Sequence, residues 1–81
     1  MEIRYTKVAV KAILAMDKQT QQRIKLGVEG IPEGDIIPLQ GKDNEYRLRI
    51  GKYRILFEYR QKDNEKVLFI LDVGSRGDIY K

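Results

Sequence analysis

The segment that most constrains the fold is residues 46–57, in which two runs of alternating apolar residues flank the dipeptide Gly51-Lys52. A two-residue loop with glycine first is typical of a type II′ β-hairpin, and a loop of that length sets which residues lie opposite each other. Ile50 then pairs with Tyr53, and since side chains alternate across a strand, every second residue shares their face. We expect this apolar face to belong to the hydrophobic core. The other pairs on it are Leu48 with Ile55 and Tyr46 with Phe57.

The opposite face of the same hairpin carries cations and no carboxylate. Arg47, Arg49 and Arg54 lie on it beside Leu56, and Lys52 adds a cation at the turn. The register places Arg49 directly across from Arg54, and like charges in such positions destabilise a sheet by about 0.2–1 kcal/mol. Guanidinium groups suit phosphate oxygens and keep their charge at any working pH. The pattern therefore predicts an anion-binding face with Lys52 as a substrate-binding residue, and a solvated face that keeps the chain soluble is the alternative.

Composition restricts the chemistry that this face could perform. The 81 residues include no cysteine and no histidine. This excludes the commonest zinc sites, the Ser-His and Cys-His pairs of covalent catalysis, and the usual proton carrier at neutral pH. The sequence also has no glycine-rich phosphate loop and no metal-like spacing of acids. We therefore expect no metal and no cofactor, and any reaction would use Arg, Lys, Tyr or carboxylates.

Length, charge and hydropathy set the scale of the molecule. A chain of 81 residues is near the smallest size that supports its own core, so we expect residues 1–81 to form a single domain. The net charge of +4 points to a polyanionic partner, and residues 46–57 hold four basic residues and no acidic one. No run is long enough to cross a bilayer or to act as a signal peptide. A cytoplasmic location without a membrane partner is the default expectation.

The remaining segments predict an α+β domain. Residues 2–6 alternate as a short strand, and residues 7–16 and 18–29 follow as two antiparallel helices. Residues 32–44, which contain both prolines, predict an ordered connection. Residues 66–73 follow as a strand, in which the run Val67–Leu71 is apolar at both parities. This predicts a central strand covered on both faces and leaves its register open. The expected architecture is an antiparallel sheet of about four strands with the two N-terminal helices packed on one face.

Helical periodicity predicts the buried side of each helix. The apolar residues on those sides are Val10, Ile13 and Leu14 in the first helix and Ile24, Val28 and Ile31 around the second. Thr6 precedes the first helix and is a plausible N-cap. We expect the apolar residues to complete the core from the helical side.

Four local motifs occur in order along this scaffold. They are Leu39-Gln-Gly41, the hairpin Tyr46–Arg54, Val73-Gly-Ser-Arg76 and Asp78-Ile-Tyr80. With the order of the elements, they resemble the RelE/ParE toxin superfamily of bacterial and archaeal toxin–antitoxin systems across essentially the whole chain. The terminal arginine and tyrosine favour the RelE branch, whose members are small basic endoribonucleases that cut mRNA in the ribosomal A site. ParE-type members share the fold and poison DNA gyrase.

The resemblance implies catalytic roles for five residues. Arg47 and Arg49 fall where the RelE branch carries its two catalytic basic residues. Arg54 and Arg76 match its phosphate-contacting arginines, and Tyr80 matches its C-terminal catalytic tyrosine. The best-studied relatives carry lysine at the first two positions. Arginine stays protonated at any working pH and is a poor general base, so we expect Arg47 and Arg49 to supply charge and positioning. Cleavage would use metal-free attack of the ribose 2′-hydroxyl, with Tyr80 either as the proton carrier or as a ring that stacks on a splayed base.

The resemblance also implies the partners. They are the ribosome with its mRNA and a cognate antitoxin that brings carboxylates to the arginines. Direct DNA binding is not expected, because the sequence shows no helix-turn-helix pattern. Two alternatives remain open at this stage: a ParE-type inhibitor of DNA gyrase that acts by protein binding, and a relative that only binds.

Overall fold

Two helices and five strands make up the part of the chain that the computed structural model describes, residues 2–31, 33–39, 41 and 44–75. In chain order they are β1 (Glu2–Tyr5), α1 (Lys7–Leu14), α2 (Lys18–Glu29), β2 (Asp35–Pro38), β3 (Glu45–Ile50), β4 (Tyr53–Lys62) and β5 (Glu65–Ser75). The strands form one sheet in the order β1-β5-β4-β3-β2. The α+β class with two helices is confirmed. The sheet has five strands rather than about four, and it is mixed because β1 runs parallel to β5.

The hairpin of β3 and β4 has the register that the sequence predicts. Leu48 lies across from Ile55, and Arg49 lies across from Arg54. Gly51 has a φ of +56°, whereas the following lysine does not have a positive φ, which is the pattern of a type II′ turn. The turn chemistry therefore determines which side chains enter the core.

Strand β2 was not predicted, and the prediction of a connection is wrong for Asp35–Pro38. These residues pair antiparallel with β3 at the edge of the sheet. An edge strand tolerates Pro38, since its missing N–H is not needed by a second neighbour. The adjacent β-branched pair Ile36 and Ile37 is the local signal that favours a strand here. As a result, Asp35 lies directly across from Arg49.

The core lies between the two helices and one face of the sheet. The buried sheet residues in it are Leu48, Ile55, Phe57, Leu68, Ile70 and Val73. From the second helix and its end, Ile24, Val28 and Ile31 are buried as predicted. Neither helix of the described residues is long and apolar enough to cross a bilayer.

Helix α1 presents a different side to the sheet from the predicted one. Ala9 is fully buried and Ile13 packs against the core, whereas Val10 is 41% exposed and Leu14 is 69% exposed. The prediction for these last two residues is wrong, because the small Ala9 side chain marks the line of close approach to the sheet. Val10 and Leu14 instead line an apolar groove beside α2, which has a volume of about 480 Å³.

A β-bulge in β5 explains why the register of this strand could not be assigned from the sequence. Successive residues of β4 pair with Asp72 and Ile70, so Leu71 is an extra residue. Ile70 lies in the core before the bulge and Val73 lies in it afterwards. A bulge of one residue changes the parity of the buried positions. The run that is apolar at both parities therefore belongs to one strand whose buried positions change parity at the bulge. The strand lies between β1 and β4, which confirms the prediction of a central strand.

Thr6 joins the first helix to this bulge. Its hydroxyl oxygen accepts a hydrogen bond from the Ala9 amide at 3.1 Å, which confirms the predicted N-cap. The same hydroxyl donates to the Leu71 carbonyl at 2.9 Å. One side chain thus satisfies an unpaired helix amide and an unpaired carbonyl of the bulged strand.

Replacing Thr6 by alanine should lower the free energy of unfolding by about 1–2 kcal/mol, because both hydrogen bonds are lost. Thr6→Ser keeps the hydroxyl and should lie within about 0.5 kcal/mol of the parent protein. Urea denaturation of the three proteins measures the difference. Equal midpoints for the alanine and serine variants would show that the hydroxyl contributes nothing.

Candidate functional site

The structure brings three of the predicted site residues together on the sheet face that points away from the helices. Arg47 and Arg49 alternate on β3 with the buried residue Leu48, and Arg54 lies across from Arg49 on β4. We call this group of three the arginine face. Among the described residues, neither helix lies over it, because both helices pack on the opposite side.

Arg47 is the most buried member of the arginine face. Its side chain is 10% exposed, and within the described part of the chain its Nε atom has no hydrogen-bond partner. It lies in a row between Ile37 of β2 and Leu56 of β4. Removing a charge from water is costly unless a close partner compensates. The closest carboxylate contact here is 3.9 Å, from a terminal nitrogen of Arg47 to Asp35 Oδ1.

Asp35 is a residue beside the arginine face that the sequence did not reveal. Its Oδ2 atom accepts a hydrogen bond from Arg49 Nε at 2.8 Å, and the two side chains are 46% and 47% exposed. The expectation of a face without carboxylates is therefore wrong. The acid comes from the unpredicted strand β2, whose pairing partner could not be known without that strand. The signal that could have found it is the β-branched pair that follows it in the sequence.

Asp72 is a second acid on the same face, in register with Leu56 of β4. Its Oδ1 atom accepts a hydrogen bond from the Val73 amide at 2.8 Å. The carboxylate is thus anchored to the backbone next to the bulge.

The other half of the same sheet face pairs its charges one to one. Arg4 forms an ion pair with Glu2, and Arg60 forms one with Glu58. The Arg60 guanidinium also lies 4.3 Å from the centroid of the Phe69 ring. The two halves of this side of the sheet differ in composition, since the three residues of the arginine face outnumber the two acids beside them, Asp35 and Asp72. The excess positive charge on this side of the sheet is therefore concentrated at the arginine face.

Two further cations lie at the hairpin turn beside the arginine face. Lys52 is exposed, and its Nζ atom lies 5.5 Å from the centroid of the Tyr53 ring. Arg23 reaches the turn from α2, and its NH2 atom would lie 3.0 Å from a Cβ placed on Gly51. Arg23 was not predicted, because its approach depends on how the helix packs on the sheet. The assignment of Lys52 to substrate binding stays a prediction.

Comparisons with known proteins identify the family of the chain. The family model described as the ParE toxin of the type II toxin–antitoxin system, parDE, matches residues 3–80. The chain belongs to this toxin family. It is accordingly a toxin of a type II toxin–antitoxin system, and the resemblance to the RelE/ParE superfamily is confirmed. A search among curated proteins gave no match.

Solved structures give the same fold for this toxin. A chain of the RelB–RelE antitoxin–toxin complex from Methanococcus jannaschii is 28% identical, with a TM-score of 0.72 over 94% of this chain and 93% of that one. A chain of the archaeal RelE–RelB complex from Pyrococcus horikoshii is 29% identical, with a TM-score of 0.71 over 95% and 96%. The isolated E. coli RelE toxin matches at 19% identity with a TM-score of 0.75 over 98% and 89%, which concerns the fold alone.

Two of the predicted catalytic residues of the toxin, Arg76 and Tyr80, lie outside the described residues. Their roles stay predictions. The described part of β5 ends at Ser75, and Gly74 lies across from Arg54 in the sheet. The last described residues of this strand are therefore adjacent to the arginine face.

The described tyrosines of the toxin belong to the helical side of the sheet. Tyr46, Phe57 and Tyr59 form an aromatic cluster with ring centroids 5.6–5.8 Å apart. Burial, with a smaller effect of the neighbouring Tyr46, raises the pKa of Tyr59, and burial with the charge of Glu29 raises the pKa of Tyr5. Both shifts disfavour the phenolate. Tyr46 and Tyr53 pack against the core as predicted, and the remaining tyrosine of the sequence is Tyr80.

The described residues of the toxin contain no group of three or more acids that could hold a metal ion. The arrangement that they do contain is a set of three positive charges on one face of the sheet, two of them directly across from each other. Such a set can bind an anion and stabilise negative charge that develops on it.

Arg47→Met should leave the free energy of unfolding unchanged or raise it by about 1–2 kcal/mol, because it replaces a desolvated charge by an apolar chain between two apolar neighbours. Arg49→Met is the matched control at an exposed position and should change stability by less than about 0.5 kcal/mol. Urea denaturation measures both. A loss of more than about 1 kcal/mol for Arg47→Met would mean that contacts within the protein already compensate the desolvation of the buried guanidinium. An anion would then have no desolvation cost to relieve at this residue.

Proposed function

We propose that this toxin is a ribosome-dependent endoribonuclease that cleaves mRNA in the A site without a metal ion. The observation that carries the proposal is the arginine face, where Arg49 and Arg54 lie directly opposite each other and Arg47 is largely desolvated beside them. This placement is unfavourable for the fold alone and favourable once a phosphate lies among the three groups. The matches at 28% and 29% identity, both to RelE–RelB complexes, support the RelE branch.

The proposed reaction is attack of the ribose 2′-hydroxyl on the adjacent phosphorus. The 2′-oxygen forms a bond to phosphorus, the bond to the 5′-oxygen breaks, and the products are a 2′,3′-cyclic phosphate and a 5′-hydroxyl. Arg54 and Arg76 hold the phosphate, and Arg47 and Arg49 stabilise the extra negative charge. A single preorganised hydrogen-bond donor aimed at developing negative charge is worth about 2.7–4 kcal/mol in acyl transfer, which sets the scale expected for each arginine. Tyr80 carries the proton.

Because it is buried, Arg47 exerts the strongest electrostatic effect on the phosphate among the three residues of the arginine face in this mechanism. Its side chain is 10% exposed, so water screens its charge less than it screens that of Arg49. The interaction between two charges grows as the effective dielectric constant falls from that of bulk water. Arg47 therefore acts on the phosphate mainly through its charge, while the more exposed arginines bind phosphate oxygens directly.

The ion pair between Arg49 and Asp35 does not block this site. Both side chains are close to half exposed, and exposed ion pairs contribute only about 0–1 kcal/mol. The contact also uses only the Nε atom of Arg49, so its two terminal nitrogens remain available. Arg49 can therefore bind substrate while the ion pair is retained.

Dependence on the ribosome follows from the few acid–base groups available. Histidine is absent from the sequence, and arginine stays protonated at neutral pH, so it cannot act as a general base. The rate must then come from alignment of the 2′-hydroxyl with the phosphorus and from charge stabilisation. The ribosome supplies the alignment, so free RNA should be a poor substrate.

The proposed partner that restrains the toxin is a cognate antitoxin. The matched structures from Methanococcus jannaschii and Pyrococcus horikoshii are toxins in complex with RelB. An antitoxin segment with carboxylates suits the arginine face, because opposite charges speed association and set its orientation.

A ParE-type inhibitor of DNA gyrase is the second candidate function. The matched family model carries the description of the ParE toxin, and members of that branch act by protein binding. The two candidates differ in what they do to purified targets, so one pair of assays separates them.

Incubation with programmed ribosomes should yield cut mRNA, whereas incubation with gyrase and plasmid should yield no trapped cleaved DNA. Arg49→Ala and Arg54→Ala should each lower kcat/KM for cleavage by about a hundredfold. Arg60→Ala is the control on the same sheet face, since its charge is already paired, and it should stay within about threefold of the parent. Trapped DNA breaks with intact mRNA would overturn the proposal in favour of the gyrase function.

A further inference from the structure

We propose that Asp35 is a positioning residue that holds Arg49 in the orientation required for phosphate binding; the inference rests on the proposed function. Asp35 does not touch substrate in this scheme. It acts through the hydrogen bond from Arg49 Nε to its Oδ2 atom, which is 2.8 Å long. No family motif noted in the sequence includes this residue.

The position of Arg49 in the sheet explains why it needs a positioning partner. A single row across the sheet contains Asp35 of β2, Arg49 of β3, Arg54 of β4 and Gly74 of β5. Arg49 thus has a like charge on one side and an acceptor on the other. Repulsion by Arg54 alone would drive the exposed guanidinium toward solvent in several rotamers. The carboxylate gives it one defined location beside β2.

The atom that makes the contact decides what remains for the substrate. Guanidinium has five N–H donors, and Nε carries one of them. Because Asp35 Oδ2 contacts Nε, the two terminal nitrogens remain as the edge that suits a bidentate contact with phosphate. The contact fixes the side chain by its inner edge and leaves the outer edge for the substrate.

The Asp35 carboxylate also lies close to Arg47. Its Oδ1 atom lies 3.9 Å from a terminal nitrogen of Arg47, which lies two residues away on the same strand. One acid from the edge strand therefore contacts two arginines of the face. Gly34 precedes β2 and has a φ of +121°, a backbone conformation that glycine adopts readily. Asp35 is the first residue of the strand and lies across from Arg49, near the hairpin end of β3.

Two substitutions separate positioning from charge. Asp35→Asn removes the negative charge and keeps an oxygen that can accept from Nε, whereas Asp35→Ala removes both. The alanine variant should lower kcat for ribosome-dependent cleavage by about tenfold to a hundredfold with a smaller change in KM, since misorientation affects the transition state most. The asparagine variant should remain within about threefold of the parent protein. Glu2→Ala, an exposed acid on the other half of the same face, should have no effect.

A second readout follows Arg49 without any substrate. The Nε–Hε proton of Arg49 should give a slowly exchanging NMR signal in the parent protein and in Asp35→Asn, and a fast-exchanging one in Asp35→Ala. This measurement stays decisive if the parent protein fails to cleave mRNA, a result that would defeat the proposed function alone.

The inference is overturned by any of three results. Higher kcat/KM in both variants would show that Asp35 competes with phosphate for Arg49. Equal losses in both variants would show that its charge matters and its geometry does not. Parent-like kinetics, or an Arg49 signal unchanged in the alanine variant, would show that Asp35 positions nothing.

Discussion

The pairing of β3 with β4 is the interaction on which the rest of the structure depends. Each step along this ladder sends one side chain into the core and the next one to the arginine face, as with Leu48 and Arg49. A slip of one residue would exchange the two sets, because the side-chain period of a strand is two. The position of the site and the composition of the core are therefore set by the same register, which the turn at Gly51 fixes.

The energies of the two faces explain why such a site can exist. Leu48, Ile55 and Phe57 are at most 2% exposed, and full burial of a side chain of this kind contributes about 1.5–3 kcal/mol. The opposition of Arg49 and Arg54 costs only about 0.2–1 kcal/mol. The core therefore imposes a register that the arginines alone would not choose. The charge repulsion that remains is relieved in part by the half-exposed Asp35, and the proposed substrate phosphate would relieve it further.

The hairpin could be predicted because its register follows from the residues of its own turn. Strand β2 and the contacts of Asp35 depend on tertiary packing, so the sequence predicted them less well. The register of β3 with β4 follows from a two-residue turn, so the location of Arg47, Arg49 and Arg54 on one face could be stated from the sequence. Strand β2 has four residues and ends in Pro38, so its own sequence gives little periodicity, and among the described strands it pairs with β3 alone. Asp35 was missed for this reason.

Two further differences have the same origin. The bulge at Leu71 depends on hydrogen bonds from Thr6, which lies 65 residues away in the sequence. The buried side of α1 follows the close approach at Ala9 instead of the largest apolar side chains, which leaves Val10 and Leu14 at a groove. Both are decided by contacts between distant segments, which no local pattern records.

The central claim is that the arginine face grips a phosphate linkage. The most direct measurement is an NMR titration of the arginine Nε–Hε signals with a short single-stranded RNA whose 2′-hydroxyl at the cleavage position is replaced by hydrogen. We expect shifts at Arg47, Arg49 and Arg54 that weaken as salt is raised, with Arg4 and Arg60 unmoved. Shifts spread evenly over these five of the seven arginines, or confined to Arg4 and Arg60, would contradict the claim.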